Sequence, residues 1–162
     1  MKNALKEISS YLIIIVIVLL IKSFIFTLVR VNGSSMDKTL HEGNIMILNL
    51  LDHSFEREDI IVADKSVEGS LIIKRIIGLP NEKIFCKDGI IYINDVKYDD
   101  PYANGETADF DEITLKEDEY FLLGDNRVVS LDSRYFGPVP KKAIMGSTNI
   151  IVFPFKKIGK VK

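Results

Sequence analysis

Apolar positions are distributed in two ways along the chain. Across residues 11–29 they run without alternation, YLIIIVIVLLIKSFIFTLV, 19 residues with one charge. As helix that run extends about 28 Å, the depth of a bilayer core. Past Arg30 the apolar runs shorten to strand length and are separated by turn residues: IMILNLL from Ile45, DIIVA from Asp59, SLIIKRIIGL from Ser70 and EYFLLG from Glu119. Lys87, Asp88 and Gly89 separate KIFC from IIYI, and Asn94 and Asp95 separate IIYI from VKYDD, so two hairpins in succession, a meander, are predicted. Gly137, Pro138, Pro140 and Pro154 bracket AIMGSTNIIVF, which reads as one more long strand before a frayed basic tail. No repeat, low-complexity stretch or internal linker interrupts this order.

The first run ends in Phe26, Thr27, Leu28, Val29 and Arg30, without the small residues of a cleavage site, so it is expected to stay as an anchor. Lys22 is its one charge, and a long apolar stem lets such an ammonium snorkel toward an interface. Lys2 and Lys6 precede the run against Glu7, which favours an inside N-terminus. The predicted fold class is mainly β: an N-terminal transmembrane helix followed by a compact all-β domain. Residues 1–30 are expected to form the cytoplasmic stub and anchor, and residues 31–162 the extracytoplasmic domain, held at the plasma membrane by a single pass.

Composition narrows the function. A chain of 162 residues has room for one modest domain beside an anchor. With 21 basic and 23 acidic residues there is no electrostatic footprint for nucleic acid. The single cysteine, Cys86, has no disulfide partner within the chain and reads as a small strand residue. The two histidines and the acidic pairs lack ligand spacing, so no metal and no cofactor are expected.

Three segments carry candidate chemistry. VNGSSMDKTL, residues 31–40, places a glycine and two serines where the chain leaves the apolar run; by itself this is ordinary turn composition. In SLIIKRIIGLP, Lys74 and Arg75 interrupt an apolar strand, and adjacent strand residues point to opposite faces. One cation therefore faces the more apolar side, and a lysine there loses preference for its charged form, so its pKa falls. An edge strand guarded by two cations is the plainer alternative. In FLLGDNRVVSLDSRYFGPVP, Asp125, Arg127, Asp132 and Arg134 alternate in charge around Ser130 and Ser133, a pattern that by itself reads first as a buried structural ion-pair network and second as a loop that positions a hydroxyl.

GSSM followed by TL, then KRIIGLP, then GDNR and DSRYFG, in that order behind an apolar helix, resemble the motif series of bacterial type I signal peptidases. DGIIYINDVKYDDPYA is similar to the family's segment between its second and third motifs, so the resemblance covers nearly the whole chain. It implies a membrane-bound serine endopeptidase that removes N-terminal signal peptides from exported precursors, cutting after small residues. By motif position Ser35 is the nucleophile and Lys74 its general base, a Ser/Lys dyad working through an acyl-enzyme. Ser130 matches the serine that orients the lysine, and Asp125, Arg127, Asp132 and Arg134 match residues that support its loop. The Ser35 amide is the implied oxyanion donor; Gly33 stands where some members add a hydroxyl, as in the Gram-positive branch. Val31, Met36, Leu40 and Ile73 are the implied lining of shallow pockets for small residues. The implied partners are signal peptides of exported precursors and the lipid bilayer.

Two departures from the family pattern stand out. Lys38 replaces a usual proline, which is expected to loosen the turn after the nucleophile. Val128 and Val129 replace an acidic residue and an asparagine, removing polar partners near the loop and hinting at a specialised paralogue with a narrow client set such as pilins. Three other readings compete. Ser35-Met36-Asp37-Lys38 mimics the Ser-x-x-Lys motif of penicillin-recognising enzymes, but their Lys-Thr-Gly is absent. A Ser-His-Asp protease would need His41 or His53, both of which read as surface residues. The third is a catalytically impaired relative that binds exported precursors or assists pilus assembly; retention of both Ser35 and Lys74 argues against it.

Overall fold

The computed structural model describes residues 2–65 and 70–161. Helix α1 spans Lys2–Phe24, and every strand of the body follows it. The apolar run does not continue as helix to Val29: Phe26–Arg30 forms strand β1, paired antiparallel with β2, Ile45–Asn49, from Phe26 opposite Asn49 to Arg30 opposite Ile45. Aromatic and β-branched side chains suit a pleated surface, and Val29 is buried against the core, so pairing overrides the uniform hydropathy that predicted helix here. Among the described residues no helix is long and apolar enough to cross a membrane. The Lys22 side chain, on which the snorkelling expectation falls, lies outside the described residues.

The remaining strands are β3, Ile60–Lys65; β4, Ser70–Gly78; β5, Lys83–Lys87; β6, Ile90–Ile93; β7, Val96–Tyr98; β8, Phe110–Thr114; β9, Glu119–Leu123; β10, Val139–Pro140; β11, Ile144–Phe153; and β12, Gly159–Lys160. They form an eight-stranded sheet in the order β1-β2-β11-β3-β4-β9-β10, with β12 added to β11, and a four-stranded sheet in the order β7-β6-β5-β8. The mainly β class is as the sequence predicts. Both meander turns use left-handed residues, Asp88 (φ 53°) with Gly89 (φ 75°) and Asn94 (φ 50°) with Asp95 (φ 66°), the turn that matches strand twist. The basic tail, expected to fray, pairs instead: Lys160 lies opposite Ile150, and Val161 N donates to Asn149 O at 2.8 Å.

Burial follows the period of two. In β3, Ile60 and Val62 join a core with Met36, Leu40, Met46 and Ile73, while Ile61 and Ala63 join a second core with Ile76, Tyr120 and Leu122 on the opposite side. The four-stranded sheet closes a third core, placing Ile84, Cys86 and Ile91 against Ile77, Phe121 and Leu123. Burial pushes the Cys86 thiol up to about 11, so it stays protonated as a packing residue.

One polar group crosses these cores. Arg75, at 0 % exposure, donates from Nε to Asp125 Oδ1 and from Nη2 to Asp125 Oδ2, each at 2.8 Å. Its Nη1 donates to Glu58 O at 2.7 Å, its Nη2 also reaches Thr39 Oγ1 at 3.2 Å, and its guanidinium lies 3.7 Å from the centre of the Tyr102 ring. Removing one partner of such a pair strands a buried charge. Asp125→Ala is therefore expected to lower the unfolding free energy by about 3–5 kcal/mol, read by urea denaturation of the detergent-solubilised protein; a loss near zero would show that the pair does not anchor the fold.

Candidate active site

The segment between β1 and β2 is a tight turn held at both ends. Val31 N donates to Asn44 O at 2.8 Å and Gly43 N to Val31 O at 2.9 Å. Within it, Asp37 N donates to Ser34 O at 3.0 Å and Leu40 N to Met36 O at 2.9 Å, while Met36 and Leu40 are buried in the first core. Ser35 sits between these anchors, and its carbonyl accepts from Asn126 N at 3.0 Å. Its side chain is thus presented from a turn fixed on every side.

Lys74 reaches it from β4, where it pairs with Ile61 of β3. Alternation sends Lys74 and Arg75 to opposite faces, so the strand holds its arginine in the ion pair while the lysine turns to the turn. Lys74 is 5 % exposed, and its Nζ donates to Ser35 Oγ at 2.7 Å across 39 residues of sequence. A neutral amine at that distance is placed to take the hydroxyl proton. The two lie in a small open cleft of about 280 Å³ lined also by Asn32, Gly33, Ser34, Ile72, Val129 and Leu131.

The loop after β9 forms the far wall. Asp132 caps helix α2, Ser133–Phe136, and accepts from Gly124 N at 3.0 Å; Arg134 Nε donates to Asp132 Oδ1 at 2.8 Å. Arg134 Nη2 also donates to Arg127 O at 2.8 Å. Arg127 pairs with Asp100, and donates to Thr107 Oγ1 at 2.6 Å and Gly124 O at 3.0 Å. The four charges therefore form three separate pairs rather than one chain of alternating partners, since Asp125 and Arg127 find theirs in β4 and at Asp100.

Several placements differ from expectation. Ser130 is buried, but its Oγ has no hydrogen-bond partner, so the orienting bond to Lys74 is not formed here. Val31, Met36, Leu40 and Ile73 are packed into the first core at 9 % exposure or less, and the open cleft is lined by Ile72, Val129 and Leu131 instead. Both histidines are exposed, His41 with its Nδ1 3.0 Å from Asp37 Oδ1. Among the described residues no cluster of potential metal ligands occurs. Gly124 is a position that sequence reasoning missed: a Cβ there would overlap Ser130 Oγ and Cβ and the carbonyl oxygen of Ser35. Its sequence signals are its place at the end of an apolar strand and at the head of GDNR, neither of which gives the reason for a glycine.

Lys38 does not loosen the turn. It takes φ 120°, and its Nζ donates to Pro101 O at 2.8 Å and Ala103 O at 3.0 Å, tying the turn to a distant segment. Proline fixes φ near −65°, so Lys38→Pro, although it restores the family's usual residue, is expected to destabilise the protein by about 1–3 kcal/mol. A thermal unfolding midpoint equal to or above that of the parent would refute this.

The family model described as signal peptidase, peptidase S26, matches residues 4–153. A signal peptidase I of Bacillus licheniformis is 35 % identical over 175 aligned residues, covering 98 % of this chain and 94 % of the relative. Signal peptidase I T of Bacillus subtilis is 32 % identical, covering 99 % of this chain and 95 % of the relative. A crystal structure of a signal peptidase I from Enterococcus faecalis superposes with a TM-score of 0.53 at 35 % identity, covering 58 % of this chain and 96 % of that one. With a family match over most of its length, the chain belongs to the signal peptidase family, peptidase S26, as a serine endopeptidase of the signal peptidase I kind.

Proposed function

We propose that the chain removes N-terminal signal peptides from exported precursors at a membrane surface, cutting after small residues with Ser35 as nucleophile and Lys74 as general base. The observation that carries this reading is the 2.7 Å contact between Lys74 Nζ and Ser35 Oγ at the family's motif positions. Ser35 Oγ attacks the scissile carbonyl while Nζ takes its proton; the resulting ammonium then protonates the leaving amine, and the acyl-enzyme remains. The neutral amine next deprotonates a water, which attacks the ester and restores the serine. The backbone N–H of Ser35 is the donor assigned to the oxyanion, since Gly33 supplies no hydroxyl. Asp125, Arg127, Asp132 and Arg134 act by holding the turn and the loop in place.

Attachment to the bilayer is part of the proposal. Ile8 and residues 11–20 of α1 are apolar, with one polar hydroxyl at Tyr11, and expose about half or more of their surface. Phe26, Leu28, Ile47 and Ile150 continue an apolar face on β1, β2 and β11, with Phe153 and Phe155 exposed nearby. Exposed apolar surface of this extent marks contact with lipid or protein. Residues 1–30 are read as a cytoplasmic stub and single-pass anchor whose last five residues fold as β1, and residues 31–162 as the extracytoplasmic catalytic part.

Ser35→Ala and Lys74→Ala are each expected to abolish cleavage of an exported precursor while far-UV circular dichroism stays unchanged. New amino termini read by mass spectrometry check the site of the cut; cleavage near the parental rate in either variant would remove the dyad. A lysine base must be uncharged when it takes the proton, so cleavage is expected to rise from neutral to alkaline pH. A flat profile over that range would count against Lys74 in this role.

A further inference from the structure

We infer that Val129 and Leu131 form an apolar specificity wall beside Ser35, selecting precursors with a branched apolar side chain at the second residue before the cut or the first after it. This rests on the proposed function and adds a substrate class to it. Both residues line the same cleft as Ser35 and Lys74, and they are 57 % and 51 % exposed there. Branched aliphatic side chains left open in a cleft lose water only when something apolar covers them.

The loop does not let them collapse inward. Ser130 N donates to Asn126 O at 3.1 Å, and Arg134 Nη2 donates to Arg127 O at 2.8 Å and Ser130 O at 3.4 Å, fixing carbonyls on both sides of Val129. Ser130, between the two, is buried at 4 % exposure, so the polar member of the triplet points inward and the apolar members outward. Val128 is more exposed still, at 74 %, but not in the cleft. Its Cγ2 lies 2.7 Å from the space a Cβ on Gly105 would fill, which places it over that glycine and outside the cleft lining. The wall thus presents no polar side chain to a ligand, and a polar substrate group set against it would be desolvated without a partner. The small size of the cleft and its sharing with Ser35 restrict the occupant to side chains close to the scissile bond.

The test uses the full chain in detergent and peptides identical except for leucine or serine, either at the second residue before the cut or at the first after it. Binding is measured on Ser35→Ala by fluorescence anisotropy and cleavage on the parent. The leucine peptide is expected to bind about tenfold more tightly at one of the two positions, with the preference in cleavage carried by KM rather than kcat. Val129→Asn combined with Leu131→Ser brings that ratio near one. Val128→Asn leaves it unchanged. Equal affinities at both positions, a preference that survives the double substitution, or an equal loss in Val128→Asn would overturn the inference. A leucine preference on Ser35→Ala with no cleavage by the parent would sustain it and overturn the catalytic reading instead.

Discussion

The geometry of the site depends on one buried guanidinium. Taking an arginine out of water costs several kcal/mol unless its five donors find partners, and the partners of Arg75 come from separate stretches of chain. Asp125 lies in the loop after β9, Glu58 lies in the turn before β3, and Thr39 lies four residues after Ser35. Stacking on Tyr102 adds a fourth. Satisfying this one side chain brings the Ser35 turn, the Lys74 strand and the loop after β9 to a common point. The short distance between Lys74 and Ser35 follows from that convergence, because Lys74 immediately precedes Arg75 on the same strand and alternation turns it to the opposite face.

The second constraint is steric. Gly124 N is fixed by Asp132, and the absent Cβ leaves room for Ser130 and the Ser35 carbonyl to pack directly on the backbone. The closeness of loop and turn therefore needs a residue with no side chain, just as the pairing of charges needs residues with long ones. Asn126 N, donating to the Ser35 carbonyl, converts that closeness into a hydrogen bond. Ser35 is thereby positioned through its own backbone, leaving its hydroxyl to Lys74.

Much of this was legible in the sequence where a local rule governs. The meander follows from two turns whose residues tolerate positive φ, and the double-faced burial of β3 and β4 follows from continuous apolar runs. Ser35 and Lys74 were reachable only through the resemblance of motif order, since neither segment distinguishes itself from a turn or a guarded edge. What stayed hidden depends on contacts remote in sequence. Nothing in Phe26, Thr27, Leu28 and Val29 reveals that β2 competes with helix for them. Nor does any local signal pair Arg127 with Asp100, or turn Met36 and Leu40 into the core rather than the cleft. The alternating charges of the last motif do form buried ion pairs, but only Asp132 and Arg134 pair with each other, while Asp125 and Arg127 find partners remote in sequence.

The chain's departures from its family divide into two physical kinds. Lys38 takes a backbone conformation closed to proline and spends its ammonium on two carbonyls of residues 101 and 103, so the substitution is absorbed within the protein. Val128 is 74 % exposed, but it lies over Gly105 and outside the cleft lining, so it meets no ligand of the site. Val129 is not absorbed, and Leu131 beside it shares its exposure, although both belong to a loop otherwise stitched by buried charges. A compensated change preserves the fold that the family shares. An uncompensated apolar change on a rigid wall of the cleft has its energetic consequence only when a ligand arrives, which is why the divergence of this chain is to be sought in what it cuts rather than in how it cuts.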